Sequence, residues 1–327
     1  KHDEINQIQG ELNKMEDIEK PVENQGFYIT NENVNKFRNN LITSFWNVPE
    51  IINSKSMEKD KQELLLLNEQ EQNFLLNIFF FFLLGDDEVI NFIQSQITSR
   101  VTDRSIIGHE NIKISNEEIH SEGYAFILEH LAPLEKKNFI ENIKNCEFIT
   151  NKINWCKKIF EADNSLARVF LVMIIMELLF FSTSFSSIFW FKNIKKMFLG
   201  VASLNEYIAR DETQHGQCYI YIYNEMIKNR LSESEVHKIL KEACEIECAF
   251  AAEITPTSIG INKFLLSQYA QFMADDICLN LNYNVIYGVS NPFPFMSEFT
   301  IERKVDFFKK KSTQYSSFID EEFELRF

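Results

Sequence analysis

The chain has 327 residues, 45% of them hydrophobic, with 31 Phe against 9 Gly and 6 Pro, and a formal net charge of −15. That is one large domain or two modest ones with ample core, and so few breakers disfavour a sandwich or barrel. The acidic balance argues against nucleic-acid binding, since no basic stripe is available to neutralise phosphates; it suits a soluble protein that meets a basic surface on a partner. No signal peptide is evident ahead of residue 25, and the six cysteines show no framework spacing. A reducing, cytoplasmic setting is therefore expected. Cys244 and Cys248 would share a helix face, but no second cysteine pair accompanies them.

In chain order, residues 1–25 are polar and acidic and read as a flexible arm. An apolar period over 34–45 predicts a helix that Pro49 stops. Residues 59–84 predict one long helix, buried toward its end, and 89–98 continue the pattern. Helices are predicted over 117–131, 136–160, 164–190, 204–228, 232–254 and 262–281, followed by a Pro-rich loop at 291–295 and a tail from 312. No strand and no solenoid period is predicted, so the fold class is all-α. The run 169–191 could pass for a membrane span, but Glu177 lies in its middle. An ionisable residue there is costly in lipid, and a helix buried on all sides of a bundle explains the run better.

Two histidines have a glutamate three residues before them: Glu117–His120 and Glu212–His215. Each pair is preceded by a lone acid in or beside an apolar run, Asp86 and Glu177 respectively. An i,i+3 spacing puts both side chains on one helix face. Four inward carboxylates and two imidazoles form the ligand set of di-iron and di-manganese carboxylate bundles. Asp86 and Glu117 are 31 residues apart, and Glu177 and Glu212 are 35 apart, which predicts two helix pairs around one centre. A carboxylate at position 177 is costly unless compensated. No Lys or Arg lies between Arg168 and Lys192, so its compensation must come from elsewhere, and a metal cluster supplies it. Hard oxygen donors with one imidazole per metal suit Fe or Mn rather than structural Zn.

The residues around these ligands resemble one family. Tyr124 follows His120 by one turn, Glu177 is followed by Phe180, Phe181, Ser182, Ser184 and Phe185, and Asn205 to Glu212 form a second-ligand helix. Ser44-Phe45-Trp46, the 291–296 loop and the 307–311 segment complete the match. From about Phe27 to the C-terminus the chain resembles the small, radical-generating subunit of class I ribonucleotide reductase, of the eukaryotic type. The resemblance implies a ferritin-like di-metal helical bundle with additional helices over 26–311. It implies two iron ions per chain, oxo-bridged, with manganese as the alternative. Asp86, Glu117 and His120 would hold one metal, and Glu177, Glu212 and His215 the other. Tyr124 would carry the radical inside an apolar cage of Phe181, Phe185 and Ile208. Its oxidising equivalent would pass through His120, Asp211, Trp46 and Tyr315 to a large subunit that reduces ribonucleotides. The tail 312–327 would dock that subunit through Phe323, Leu325 and Phe327. The chain would work as a homodimer, or as a heterodimer with a second small subunit, with neither nucleic acid nor membrane as partner.

Departures from the family pattern gather before the first Glu-x-x-His. Gly108 should weaken the helix there, and Lys113, one turn before Glu117, could compete for that ligand's charge but is expected to point to solvent. Asp276 stands where the family has arginine, and Arg326 where it tends to have an acid. These suggest a divergent paralogue and keep two other readings open. One is a non-catalytic partner that heterodimerises with an active small subunit; the other is a di-iron oxidase or monooxygenase.

Overall fold

The computed structural model describes residues 15–20, 29–132 and 146–299. Among these, every regular element is helical. Ten helices matter here: α1 Glu32–Thr43, α2 Ser54–Leu64, α3 Glu69–Phe92, α4 Arg104–Leu131, α5 Glu147–Ala162, α6 Leu166–Ile175, α7 Ser182–Trp190, α8 Leu199–Glu225, α9 Glu233–Ile254 and α10 Lys263–Asn280. Six of them, α1 to α4, α9 and α10, start at side-chain caps that satisfy the free N–H groups of a first turn. Asn31 accepts from the backbone of Asn33 and Val34, Asp103 from Ser105 and Ile106, and Ser232 and Glu235 close a reciprocal capping box.

Several boundaries differ from those predicted. Pro49 opens a short helical turn, Val48–Ile51, instead of stopping one, because proline's fixed φ suits a first turn. The 59–84 helix is two helices, since Asn68 and Glu71 form a capping box that starts α3 afresh. Helix α4 begins well before residue 117 and runs through Gly108 without a break. Part of the expected N-terminal arm is anchored: Glu16 accepts from the backbone N–H groups of Lys228 and Asn229 at 2.8 and 3.0 Å, and Ile18 is buried.

The stretch Leu166–Lys195 is long and apolar enough to cross a membrane, with a mean hydropathy of 2.1, and it is buried in the protein. It forms the central rod of the bundle. The rod is not uniform: π-helical turns at Met176–Phe180 and Phe191–Lys195 follow α6 and α7. Helix α3 packs on α4, and α8 packs on α6 and the first π turn. Close approach is set by glycine. A Cβ on Gly216 would lie 2.6 Å from Leu178, and one on Gly85 would lie 2.8 Å from the Phe181 ring.

Candidate metal centre

Four helical elements each bring one part of the ordered motif to a single buried point. Asp86 comes from α3, Glu117 and His120 from α4, Glu177 from the π turn after α6, and Glu212 and His215 from α8. None is more than 2% exposed. The extra residue of a π turn re-aims the side chains within it, and Glu177 lies in that turn. The donor atoms form two overlapping groups, each within 4.8 Å: Asp86, Glu117, His120 and Glu212, and Glu117, Glu177, Glu212 and His215. Glu117 and Glu212 belong to both, as bridging carboxylates would.

Both histidines turn Nδ1 inward. His120 Nδ1 lies 3.2 Å from Glu117 Oε2 and 3.0 Å from Glu212 Oε1. His215 Nδ1 lies 2.9 Å from Glu212 Oε2, 3.2 Å from Glu117 Oε1 and 3.6 Å from Glu177 Oε2. Both oxygens of Asp86 and one oxygen of Glu177 have no hydrogen-bond partner among the described residues. Buried orphan acceptors of that kind need a cation or a proton, and the hard O and N donor set fits Fe or Mn. By this test the Asp86 half of the cluster fits a metal ion without qualification.

The other half already holds a cation. Lys113 is fully buried rather than solvent-facing, and its Nζ donates to Glu117 Oε1 at 2.7 Å and to Glu177 Oε1 at 2.6 Å. The compensating charge that no residue near 177 could supply thus comes from a helix 64 residues earlier. Position 113 shares the face of 117 by the i,i+4 rule, so a side chain on this face points inward with the ligands. Burial alone would pull the Lys113 ammonium down, but Glu117, Glu177, Glu110 and Glu212 together hold it above its ordinary range. Burial likewise works against Glu117, yet Lys113 and His215 hold it well below the usual carboxylate range. Asp86 is pushed up by burial and by the neighbouring Glu117. Glu177 is pushed up to about 8 by burial, against the pull of Lys113.

Tyr124 is fully buried one turn beyond His120, and its hydroxyl donates to Asn205 Oδ1 at 2.9 Å. Its ring stacks on Phe82 with centroids 4.7 Å apart and planes at 2°. Phe181 and Phe185 pack behind Phe82, at 5.4 and 4.6 Å. Ile208 is buried on α8, three residues after Asn205. The aromatic wall nearest Tyr124 is therefore Phe82, which in the sequence is one of an undifferentiated apolar run.

On the far side of His120, Asp211 Oδ2 accepts from Trp46 Nε1 at 2.7 Å and lies 3.4 Å from His120 Nε2. Asn116 donates to the same oxygen, while Arg210 holds Oδ1. The Trp46 ring stacks over His120 at 6.0 Å and meets the partly exposed Tyr207 at 5.7 Å. Trp46, Asp211 and His120, far apart in sequence, are thus one contiguous buried chain. Tyr315, Phe323, Leu325 and Phe327 lie outside the described residues.

A model of the family described as "Ribonucleotide reductase, small chain" matches residues 23–292. The chain belongs to that family. It is 35% identical over 205 residues to the ribonucleoside-diphosphate reductase small chain of Acanthamoeba polyphaga mimivirus, spanning 62% of this chain and about half (49%) of that one. With the small chain of Yaba-like disease virus it shares 32% identity over 293 residues, 88% of each chain. Among solved structures, the Rnr4 homodimer of Saccharomyces cerevisiae ribonucleotide reductase superposes with a TM-score of 0.79, covering 95% of this chain and 96% of that one. At 21% identity that likeness speaks for the fold alone. The chain is thus a ribonucleotide reductase small subunit, from an oxidoreductase family whose small chains house a di-metal site, and its ferritin-like helical fold carries a buried carboxylate–histidine cluster in keeping with one.

Three further residues of this small subunit escape a reading of the sequence. Glu110, one turn before Lys113, accepts from the buried Tyr219 hydroxyl at 2.7 Å and pairs with His109 Nδ1 at 2.9 Å. Tyr219 follows His215 by four residues, as Tyr124 follows His120. Only the i+4 spacing could have drawn attention to it.

Proposed function

We propose that this chain is the radical-generating partner of a ribonucleotide reductase holoenzyme, with Tyr124 as the radical residue and iron as the metal. The observation that carries the reading is the convergence of Asp86, Glu117, His120, Glu177, Glu212 and His215 on one buried point, with Tyr124 one turn behind it. When bound there, iron supplies the oxidising equivalents from O2 that remove an electron from a nearby phenol. The chain's own residues decide where the proton goes and what reaches the ring. Tyr124 keeps its hydroxyl proton directed at Asn205 Oδ1, and Phe82, Phe181 and Phe185 keep water and reductants from its ring, which protects a reactive species from side reactions.

The Trp46–Asp211–His120 chain gives the oxidising equivalent a route toward the surface. Asp211 fixes the orientation and tautomer of His120 in the way an outer carboxylate does for a ligand histidine. Beyond it, Tyr315 continues the route, and Phe323, Leu325 and Phe327 anchor the tail to the large subunit. Assembly as a homodimer or as a heterodimer with a second small subunit, and a cytoplasmic location, belong to the same proposal.

The test is electron paramagnetic resonance on metal-free protein loaded anaerobically with Fe(II) and then exposed to O2. The wild type gives a tyrosyl signal, and Tyr124→Phe keeps its iron but loses that signal. Iron uptake in the wild type without a tyrosyl radical would contradict the reading and favour the non-catalytic partner.

A further inference from the structure

The cluster's own side chains are not symmetric in charge. Two carboxylate oxygens on its Glu177–His215 side, Glu117 Oε1 and Glu177 Oε1, are bound by the Lys113 ammonium at 2.7 and 2.6 Å. The same Glu117 Oε1 lies 3.2 Å from His215 Nδ1. A metal ion held by Glu117, Glu177, Glu212 and His215 would draw on two carboxylates that the Lys113 ammonium already neutralises, with Glu177 Oε2 as the oxygen it leaves free, and a dication beside an ammonium on the same carboxylates meets strong repulsion. On the Asp86–His120 side Lys113 reaches only the shared Glu117, through Oε1, while Glu117 Oε2 faces His120, and both Asp86 oxygens lack a hydrogen-bond partner among the described residues.

The surroundings hold Lys113 where it is. It is fully enclosed, with its Nζ 5.4 Å from the Tyr219 ring centroid, a cation–π distance. Glu110, held by Tyr219 and His109, adds a further negative charge one turn away on the same helix. A buried ammonium with two carboxylate partners leaves them only at a substantial cost.

We infer that Lys113 is a built-in competitor for the second metal position, so that the Asp86–Glu117–His120–Glu212 group loads first and the Glu177–His215 side loads only by displacing the Lys113 ammonium. This rests on the ligand set proposed above and adds an order of loading to it. Lys113 acts on the metals through the carboxylates and touches no reacting atom.

The experiment is an anaerobic Mn(II) titration of the metal-free full chain, followed by calorimetry and by the Mn(II) paramagnetic resonance spectrum. The wild type binds a first ion tightly and a second at least about 100-fold more weakly, the scale set by uncoupling a buried ion pair. Its spectrum at two equivalents is that of an isolated bound ion. In Lys113→Gln the two affinities come within about tenfold, and the broadened spectrum of a coupled pair appears at two equivalents. Two wild-type ions of matching affinity, unchanged by Lys113→Gln, overturn the inference and leave the ligand set standing. No bound ion in either protein overturns the ligand set and the inference with it. If Lys113→Gln does not fold, Lys113→Met serves, and the wild-type affinity ratio alone remains decisive.

Discussion

The two halves of the centre are near copies in sequence and opposites in charge balance. Each has an acid on one helix and a Glu-x-x-His about one helix length later. In the Asp86–His120 half, Asp86 has no hydrogen-bond partner among the described residues, and His120 is braced from behind by Asp211, Trp46 and Asn116. In the Glu177–His215 half the acid is paired with Lys113, while His215 Nε2 has no hydrogen-bond partner among the described residues. A Glu-x-x-His spacing therefore fixes which face its residues share and leaves open what else arrives at that face. Here one half is built to receive a cation and the other is built around one.

The sharpest way to break this comparison is to remove each histidine in turn. His120→Ala should lower the affinity for the first Mn(II) ion by more than the roughly 100-fold typical of losing an outer partner of a ligand. His215→Ala should change it by less than about tenfold, because the first ion sits on the other side. Equal losses in titration calorimetry would make the halves equivalent.

Next in size is the stability of the metal-free protein. Glu177→Gln leaves Lys113 with a single close carboxylate and should cost about 3 kcal/mol in denaturant unfolding, the lower end for breaking a buried pair. Asp86→Asn removes a buried group without partners and should cost nothing or add about 1 kcal/mol. A larger loss for Asp86→Asn would reverse the assignment of the two halves.

The smallest effect sharpens the bracing of His120. Trp46→Phe deletes the 2.7 Å hydrogen bond to Asp211 and should lower stability by about 1.5 kcal/mol, the lower end for a bond to a charged group. It should weaken the first ion about tenfold and leave the second unchanged.

The ordering of acids and Glu-x-x-His pairs made the helical class and the six-residue cluster legible, because a helix face is a short-range property of spacing. What escaped was set at longer range. Lys113 lies on the face of Glu117, so its inward direction was implicit in the same i,i+4 rule that located the ligands. Burying an ammonium is ordinarily costly, which disfavours that placement. That cost is offset by Glu177, which no local pattern ties to position 113. The π turn that aims Glu177, the stacking of Phe82 on Tyr124, and the fresh start of α3 at Asn68 likewise depend on neighbours or on a cap. Pro49 was misread for a local reason, since the same residue that ends one helix suits the first turn of the next.

The inequality of the two halves can be seen directly by anomalous diffraction at the manganese edge, on crystals of the metal-free protein soaked in about one equivalent of Mn(II). One strong peak is expected among Asp86, Glu117, His120 and Glu212, with Lys113 still on Glu177. Two peaks of equal height, or a single peak beside Glu177 and His215 with Lys113 turned away, would show that the halves do not differ in this way.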